Sequence, residues 1–294
     1  SLFKYSVGVH PFTANLYSRK TVYKKFGFDK FYHFDGGNKL TYTSQIDDSP
    51  RVSDWSTYQQ IMWCLRHHRG GQFIQVATMQ NHMPYHLNYY RTNPFKVSGT
   101  AYNSPKRHDS IAAYTTGIHY TDQALQKWVQ RMNRSKKPIT VVWYGDHLPG
   151  IYNGVSMAQH GVVMHETDYF IYSNPAAQRI NQNRVTKHKV VGPNNFIAMA
   201  LAQMDMKVSP YYALMTRVYQ RLPAMANPVN GTSKNNMAHD SGISYVNDKS
   251  QQVKLTTKQE QLMQDYKLVQ YDLTAGHHYL LHNRFMLDVP KDDQ

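Results

Sequence analysis

Apolar positions along the chain fall into two recurring patterns: short runs of four to six, and longer stripes at helical spacing. Lys4 to Val9 alternates and carries β-branched and aromatic residues, which predicts a strand; Thr21 to Phe26 predicts a short helix closed at Gly27. After a turn-rich stretch from Gly36 to Arg51, a helix is predicted from Ser53. Trp55, Tyr58, Ile61, Met62 and Leu65 share its face, and Gly70-Gly71 ends it. Phe73 to Ala77 predicts a buried strand, and Pro84 closes the segment that follows it. Asn88 to Arg107 has no period and predicts a loop. Ser110 to Met132 predicts a second helix, with Ile111, Tyr114, Ile118, Leu125, Val129 and Met132 on one stripe.

Ile139 to Tyr144 is apolar at nearly every position, the pattern of a strand buried on both faces, and Tyr169 to Tyr172 predicts another. Helical stripes recur over Asn195 to Met206 and Tyr211 to Leu222. Ala224 to Ser250 is rich in Asn, Ser, Gly and Pro and predicts a surface excursion. A short helix near Lys258 to Tyr266 and a strand over Lys267 to Leu273 complete the prediction. Alternation of strands and helices argues for an α/β domain with a mostly parallel central sheet.

Composition narrows the function classes. The 294 residues are 41% hydrophobic and carry a net charge of +14, with one cysteine, Cys64. A core of useful size is therefore available, and neither an intrachain disulfide nor a cysteine-based zinc cluster can form. No window approaches the eighteen apolar residues that a membrane-spanning helix needs, and the opening residues lack a signal-peptide pattern. The positive charge implies an anionic partner, but the basic residues are dispersed and no zinc finger, basic zipper or RNA-recognition signature accompanies them, so nucleic acid is not the expected partner.

In an open α/β sheet, ligands gather beyond the carboxyl ends of the strands. Two predicted strand ends carry suitable residues: Asn81-His82 after Phe73 to Ala77, and Asp146-His147 after Ile139 to Tyr144. A carboxylate beside an imidazole suits Mn, Zn or Fe; an isolated Asp-His pair is also what a turn cap and a surface histidine look like. His10, Tyr17 and Arg19 follow the first strand, and Arg19 can clamp a phosphate or sulfate through paired N–H donors. Gly-rich phosphate loops and the GxSxG and HExxH patterns are absent.

Tyr144-Gly145-Asp146-His147-Leu148-Pro149, together with Thr78-Met79-Gln80-Asn81-His82-Met83-Pro84-Tyr85, resembles the extracellular sulfatase-like domain of lipoteichoic acid synthases, in the alkaline phosphatase superfamily. Lys24 to Phe31, Tyr120 to Leu125 and Asp265 to Leu273 add matches in the family's order. The resemblance implies a three-layer sandwich, N-terminally truncated, with residues 1–223 forming an incomplete core and residues 224–294 a loop excursion and C-terminal region of the same domain. It implies a phosphoglycerol transferase that moves glycerol phosphate from phosphatidylglycerol to a polymer with Mn2+ or Mg2+. Carried over position by position, Asp146 and His147 are metal ligands, and His10, Tyr17, Arg19 and His82 hold the substrate; Tyr17 stands where the synthases carry tryptophan.

The family's threonine nucleophile and a further acidic ligand lie upstream of the first strand, so the metal site is incomplete here and the chain alone is expected to be inactive. Implied partners are an anionic lipid headgroup and a glycerol-phosphate polymer. The implied location is the extracellular face of the cell membrane, with membrane contact through a membrane-anchored parent protein or as a soluble fragment of it. Alternatives are another superfamily phosphodiesterase, a sulfatase or phosphoethanolamine transferase, and a non-catalytic cationic domain that binds anionic wall polymer.

Overall fold

A computed structural model of the chain describes residues 3–99, 105–152, 154–181, 188–227 and 242–289. They form two compact units, one of residues 1–134 with 149–152 and one of residues 135–148 with 153–294.

The first unit contains strands β1 (Tyr5–Val9), β2 (Lys30–Tyr32) and β3 (Gln72–Val76) and helices α1 (Arg19–Lys25), α2 (Asp54–His67) and α3 (Pro105–Asn133). Its sheet is parallel throughout, in the order β2-β1-β3, with Val7 opposite both Lys30 and Ile74. The two-residue period of β1 sorts its side chains between the faces. Val7 and Val9, both fully buried, cluster with Tyr32, Leu40 and Cys64, and Trp63 of α2 packs against that cluster. Gly8 faces the other way, toward Tyr23 of α1, which stacks on Phe31 with ring centroids 4.4 Å apart. A Cβ on Gly8 would sit 2.7 Å from Tyr23 Cε1, so the absence of a side chain is what lets α1 lie on this face. Helices thus cover both sides of the sheet, as the alternation of elements implied. Helix α3 joins the α2 layer, where Trp128 stacks on Tyr58 at 4.6 Å.

The second unit contains β4 (Thr140–Tyr144), α4 (Met157–His160), β5 (Tyr169–Ser173), α5 (Pro175–Gln178), α6 (Phe196–Gln203), α7 (Pro210–Arg221), β6 (Ala224–Ala226), β7 (Ser244–Val246), α8 (Thr257–Thr274) and α9 (Tyr279–His282). Here β4 pairs antiparallel with β5, Val142 opposite Ile171, and β6 pairs antiparallel with β7. Val142, Tyr169 and Ile171 pack on a cluster of Phe196, Met199, Met215 and Tyr219, which seats α6 and α7 on the β4–β5 pair.

Several elements differ from the pattern-based expectation. Residues 267–273 are helical, not extended: Thr256 and Gln259 form a capping box that starts α8, and no Gly or Pro interrupts it before Gly276. Val269, Tyr271 and Leu273 imitate strand alternation there, but Tyr271 is 61% exposed, whereas Leu262 and Met263 carry the packing. Helix α3 begins at Pro105, five residues before the expected start at Ser110, and the start of the expected surface excursion contains β6, with β7 before its end; residues 228–241 of that excursion lie outside the described set. Strand β2 escapes sequence detection because three residues are too few to show a period.

Candidate functional site

The carboxyl ends of the three parallel strands of the first unit each deliver a histidine. His10 follows β1, His33 follows β2, and His82 lies six residues beyond β3. The connection from β1 through α1 reaches β2 on one side, while the connection through α2 crosses to β3 on the other. Chain reversal of this kind at a central strand opens a crevice at the strand ends.

His10 is fully buried, and its Nδ1 lies 2.9 Å from the carbonyl oxygen of Ala77, the residue after β3. A carbonyl only accepts, so Nδ1 donates, and the neutral ring keeps its lone pair on Nε2, which is enclosed without a partner among the described residues. Burial pushes the His10 pKa down to about 4. The hydrogen bond to Ala77 opposes that shift, while nearby Arg19, His33 and His82 add to it. These four side chains therefore form one electrostatic cluster.

Arg19 opens α1, where its guanidinium carbon lies 5.7 Å from the ring centroid of Tyr17; its Nε is enclosed and has no hydrogen-bond partner among the described residues. Tyr17 and Ser18 both take left-handed backbone angles, φ 53° in each, at a cost of roughly 1–2 kcal/mol per residue. That consecutive pair turns the chain sharply into α1 and leaves the Tyr17 ring 76% exposed beside the arginine.

His82 donates from Nδ1 to the Met83 carbonyl at 2.8 Å, so it too presents Nε2 as an acceptor when neutral. Arg51 Nη2 donates to the same carbonyl at 3.1 Å, and its guanidinium lies over Phe12 at 5.1 Å. Behind His82 stands a buried polar network. The Thr121 hydroxyl donates to Asp54 Oδ2 at 2.7 Å and accepts from Gln80 Nε2 at 2.9 Å and Asn81 Nδ2 at 2.7 Å, which uses its full hydrogen-bonding capacity. Gln80 also accepts from the Asp54 amide at 2.8 Å and donates to Gly117 O at 2.9 Å. The segment carrying His82 is thereby tied to the start of α2 and the middle of α3. Gly117 is part of the fit, because a Cβ there would collide with Asn81 Oδ1 and come within 2.9 Å of the Tyr90 hydroxyl. Gly117→Ala is expected to lower the melting temperature by several degrees despite alanine's better helix propensity, and to shift the Asn81 side-chain amide resonances. An unchanged melting temperature would show that the network yields freely.

In the second unit, β4 ends at Tyr144, and Gly145 turns the chain under Thr167, whose hydroxyl donates to the Gly145 carbonyl at 2.6 Å. Asp146 and His147 follow, with side chains 81% and 70% exposed and Oδ2 3.8 Å from Nε2. His147 Nδ1 donates to Leu148 O at 2.8 Å, which again leaves Nε2 free to bind. Two bonds of about 2.1 Å to one ion span up to about 4 Å, so this pair fits a shared divalent cation. Among the described residues no group of three His, Cys, Asp or Glu converges on one point, and two side chains alone fall short of the four ligands of a usual zinc-type site.

The residues singled out from the sequence are thus placed as two sets: His10, Arg19 and His82, with Tyr17 against Arg19, in the first unit, and Asp146 with His147 in the second. Sequence reasoning passed over His33, 6% exposed, whose Nδ1 lies 3.2 Å from Asp35 Oδ1. That oxygen also accepts from the Ala14 amide at 2.7 Å, the main reason the Asp35 carboxyl sits below its ordinary pKa. The cue in the sequence, Phe31-Tyr32 before His33 as Val9 stands before His10, is too short to mark a strand by its period.

The sulfatase family model matches residues 4–206. The chain belongs to that family. The phosphoglycerol transferase GacH of Streptococcus pyogenes, solved in complex with sn-glycerol-1-phosphate, superposes with a TM-score of 0.76 at 29% identity, covering 98% of this chain and 65% of that one. A lipoteichoic acid synthase of Staphylococcus aureus is 25% identical over 146 residues, 47% of this chain and 20% of that protein. A protein of Rhizobium meliloti named for cyclic beta-1,2-glucan modification is 23% identical over 289 residues, 93% of this chain and 41% of that protein. The chain therefore spans under half the length of these curated relatives. The fold is that of a lipoteichoic acid synthase-like, phosphoglycerol transferase-like domain of the alkaline phosphatase superfamily.

Proposed function

We propose that the strand-end cluster of the first unit holds the glycerol phosphate group of an anionic lipid headgroup such as phosphatidylglycerol, as part of a phosphoglycerol transferase acting at the extracellular face of a membrane. The observation that carries this reading is the convergence of Arg19, His10 and His82 where three parallel strands end. A cation with an unpartnered Nε suits a phosphate oxygen. Two imidazoles whose free nitrogens accept suit polyol hydroxyls, and the exposed Tyr17 ring offers an apolar wall.

Asp146 and His147 would hold a divalent cation, manganese or magnesium, which when bound lowers the pKa of an attacking hydroxyl and neutralises phosphoryl charge. A glycerol-phosphate polymer is the proposed acceptor. Relatives solved with or named for phosphoglycerol transfer and lipoteichoic acid synthesis favour this over a sulfate ester.

The test is a calorimetric titration of the polypeptide with sn-glycerol-1-phosphate, inorganic phosphate and glycerol at fixed ionic strength. Binding is expected in the order glycerol phosphate, phosphate, glycerol, with no release of glycerol phosphate from phosphatidylglycerol vesicles because the cation shell is partial. Equal affinity for phosphate and glycerol phosphate would remove the case for a polyol-recognising site.

A further inference from the structure

The second unit contains a cleft of about 360 Å³, walled by the end of α7, the β6–β7 pair and the segment leading into α8. That volume is in the range of small-molecule sites. Its floor is apolar, with Leu222 and Val246 each about 5% exposed or less. Its charged lining residues are Arg221, Lys254, His188 and Asp248.

The carboxylate is fully engaged. Asp248 Oδ1 accepts from the Lys189 and Val190 amides at 2.9 and 3.1 Å, and Oδ2 lies 3.3 Å from His188 Nδ1. Desolvation works to raise the Asp248 pKa, but these donors outweigh it and the net shift is downward, so the carboxylate is anionic and directs the Nδ1 proton of His188 to itself. The His188 carbonyl accepts from the Tyr169 hydroxyl, and the ring edge meets Tyr219 at 6.3 Å. Held in this way, His188 leaves Nε2 enclosed with no partner among the described residues. Arg221 and Lys254 have no carboxylate partner among the described residues. The cleft therefore combines two cations that no carboxylate contacts among the described residues, one carboxylate already held by backbone amides, a positioned imidazole and a small apolar floor.

We propose that this cleft is a second anion site, for a phosphate group borne on a short polyol, as a free monoester or as a diester unit of a polymer. Arg221 and Lys254, both at the cleft wall, are the donors for the phosphate, and the apolar floor accepts the carbon chain. The inference stands on residues of the second unit alone and does not depend on the strand-end reading.

The experiment titrates the full chain with sn-glycerol-1-phosphate at fixed ionic strength, following calorimetric heat and the ring resonances of His188. In Arg19→Ala, binding that shifts His188 is expected to persist. Adding Arg221→Gln and Lys254→Gln should weaken it by at least about tenfold, the loss expected for charge-assisted contacts. A glycerol-phosphate oligomer that binds more tightly than the monomer assigns the site to polymer; equal affinity assigns it to the monoester. Failure of His188 to shift at saturating ligand, or an unchanged isotherm in the Arg221→Gln, Lys254→Gln variant, overturns the proposal. The strand-end reading fails separately, if Arg19→Ala leaves the total heat and stoichiometry of the parent unchanged. Circular dichroism of each variant excludes misfolding, and a His188 shift matched by chloride at the same ionic strength would also refute a specific site.

Discussion

Arg19→Ala should reduce sn-glycerol-1-phosphate affinity at the strand-end site by roughly ten- to a hundredfold, the equivalent of the 1.5–3 kcal/mol that hydrogen bonds to a charged group contribute. The loss should appear without a change in melting temperature, because Arg19 sits at the open start of α1 and belongs to no core cluster. Arg19→Lys should recover only part of the affinity: it restores the charge but not the planar pair of donors, and a bidentate phosphate contact depends on both. The two variants together separate a directed contact from general attraction to a chain of net charge +14. Identical losses for alanine and lysine would place the recognition in fork geometry alone. Losses that vanish at high salt in every variant would assign the binding to the diffuse field and count against the site.

The second large effect concerns Asp54 and stability. This carboxyl is 2% exposed, and desolvation pushes its pKa up to about 6, although the Thr121 and Thr78 hydroxyls pull it down. A raised carboxylate pKa means the folded state binds the proton more tightly than the unfolded chain. The favourable contribution is then present at low pH and is lost as pH rises from about 4 through about 6. Asp54→Asn removes the ionisation and keeps an oxygen to accept from Thr121. The variant should gain on the parent protein as pH rises, so that the difference in melting temperature is small near pH 4.5 and several degrees in its favour near pH 7.5. A difference independent of pH would show that Asp54 does not carry the slope.

Comparison with the variant is necessary because His10 acts in the opposite direction. Its pKa of about 4 lies below the ordinary histidine value of 6.5, so its contribution is present above about 6.5 and is lost as pH falls toward 4. The parent protein's stability curve contains both slopes, together with those of Asp29, Asp35, Asp248 and His68, whose pKa values are also lowered. Only the Asp54→Asn difference isolates one of them.

Much of the site was legible because its residues stand next to patterned strands. Val7 and Val9 mark β1 and so place His10; the run Phe73 to Val76 marks β3 and so places the Asn81-His82 segment; Val141 to Tyr144 marks β4 and so places Asp146-His147. His33 stayed hidden because its strand is three residues long, and Arg51 because it lies in a turn-rich stretch with no period. The network of Asp54, Gln80 and Thr121 joins residues 26 to 67 positions apart, a separation at which local pattern carries no information. Residues 267–273 show the opposite failure, a local alternation that a capped helix overrode.

The sequence alone determined the class of fold, the family, and the residue types at three strand ends, because those depend on local hydrophobic period and on short contiguous motifs. Tertiary structure decided the rest. It set the antiparallel pairing of β4 with β5 and the tautomers of His10, His82 and His147, fixed by carbonyls at 2.8 to 2.9 Å. It also enclosed Asp54, and it brought His188, Arg221 and Lys254 to one cleft. The physical reason is common to all four: pairing direction, proton position, desolvation and the meeting of distant cations are properties of neighbours in space, and the chain's order does not specify which residues those will be.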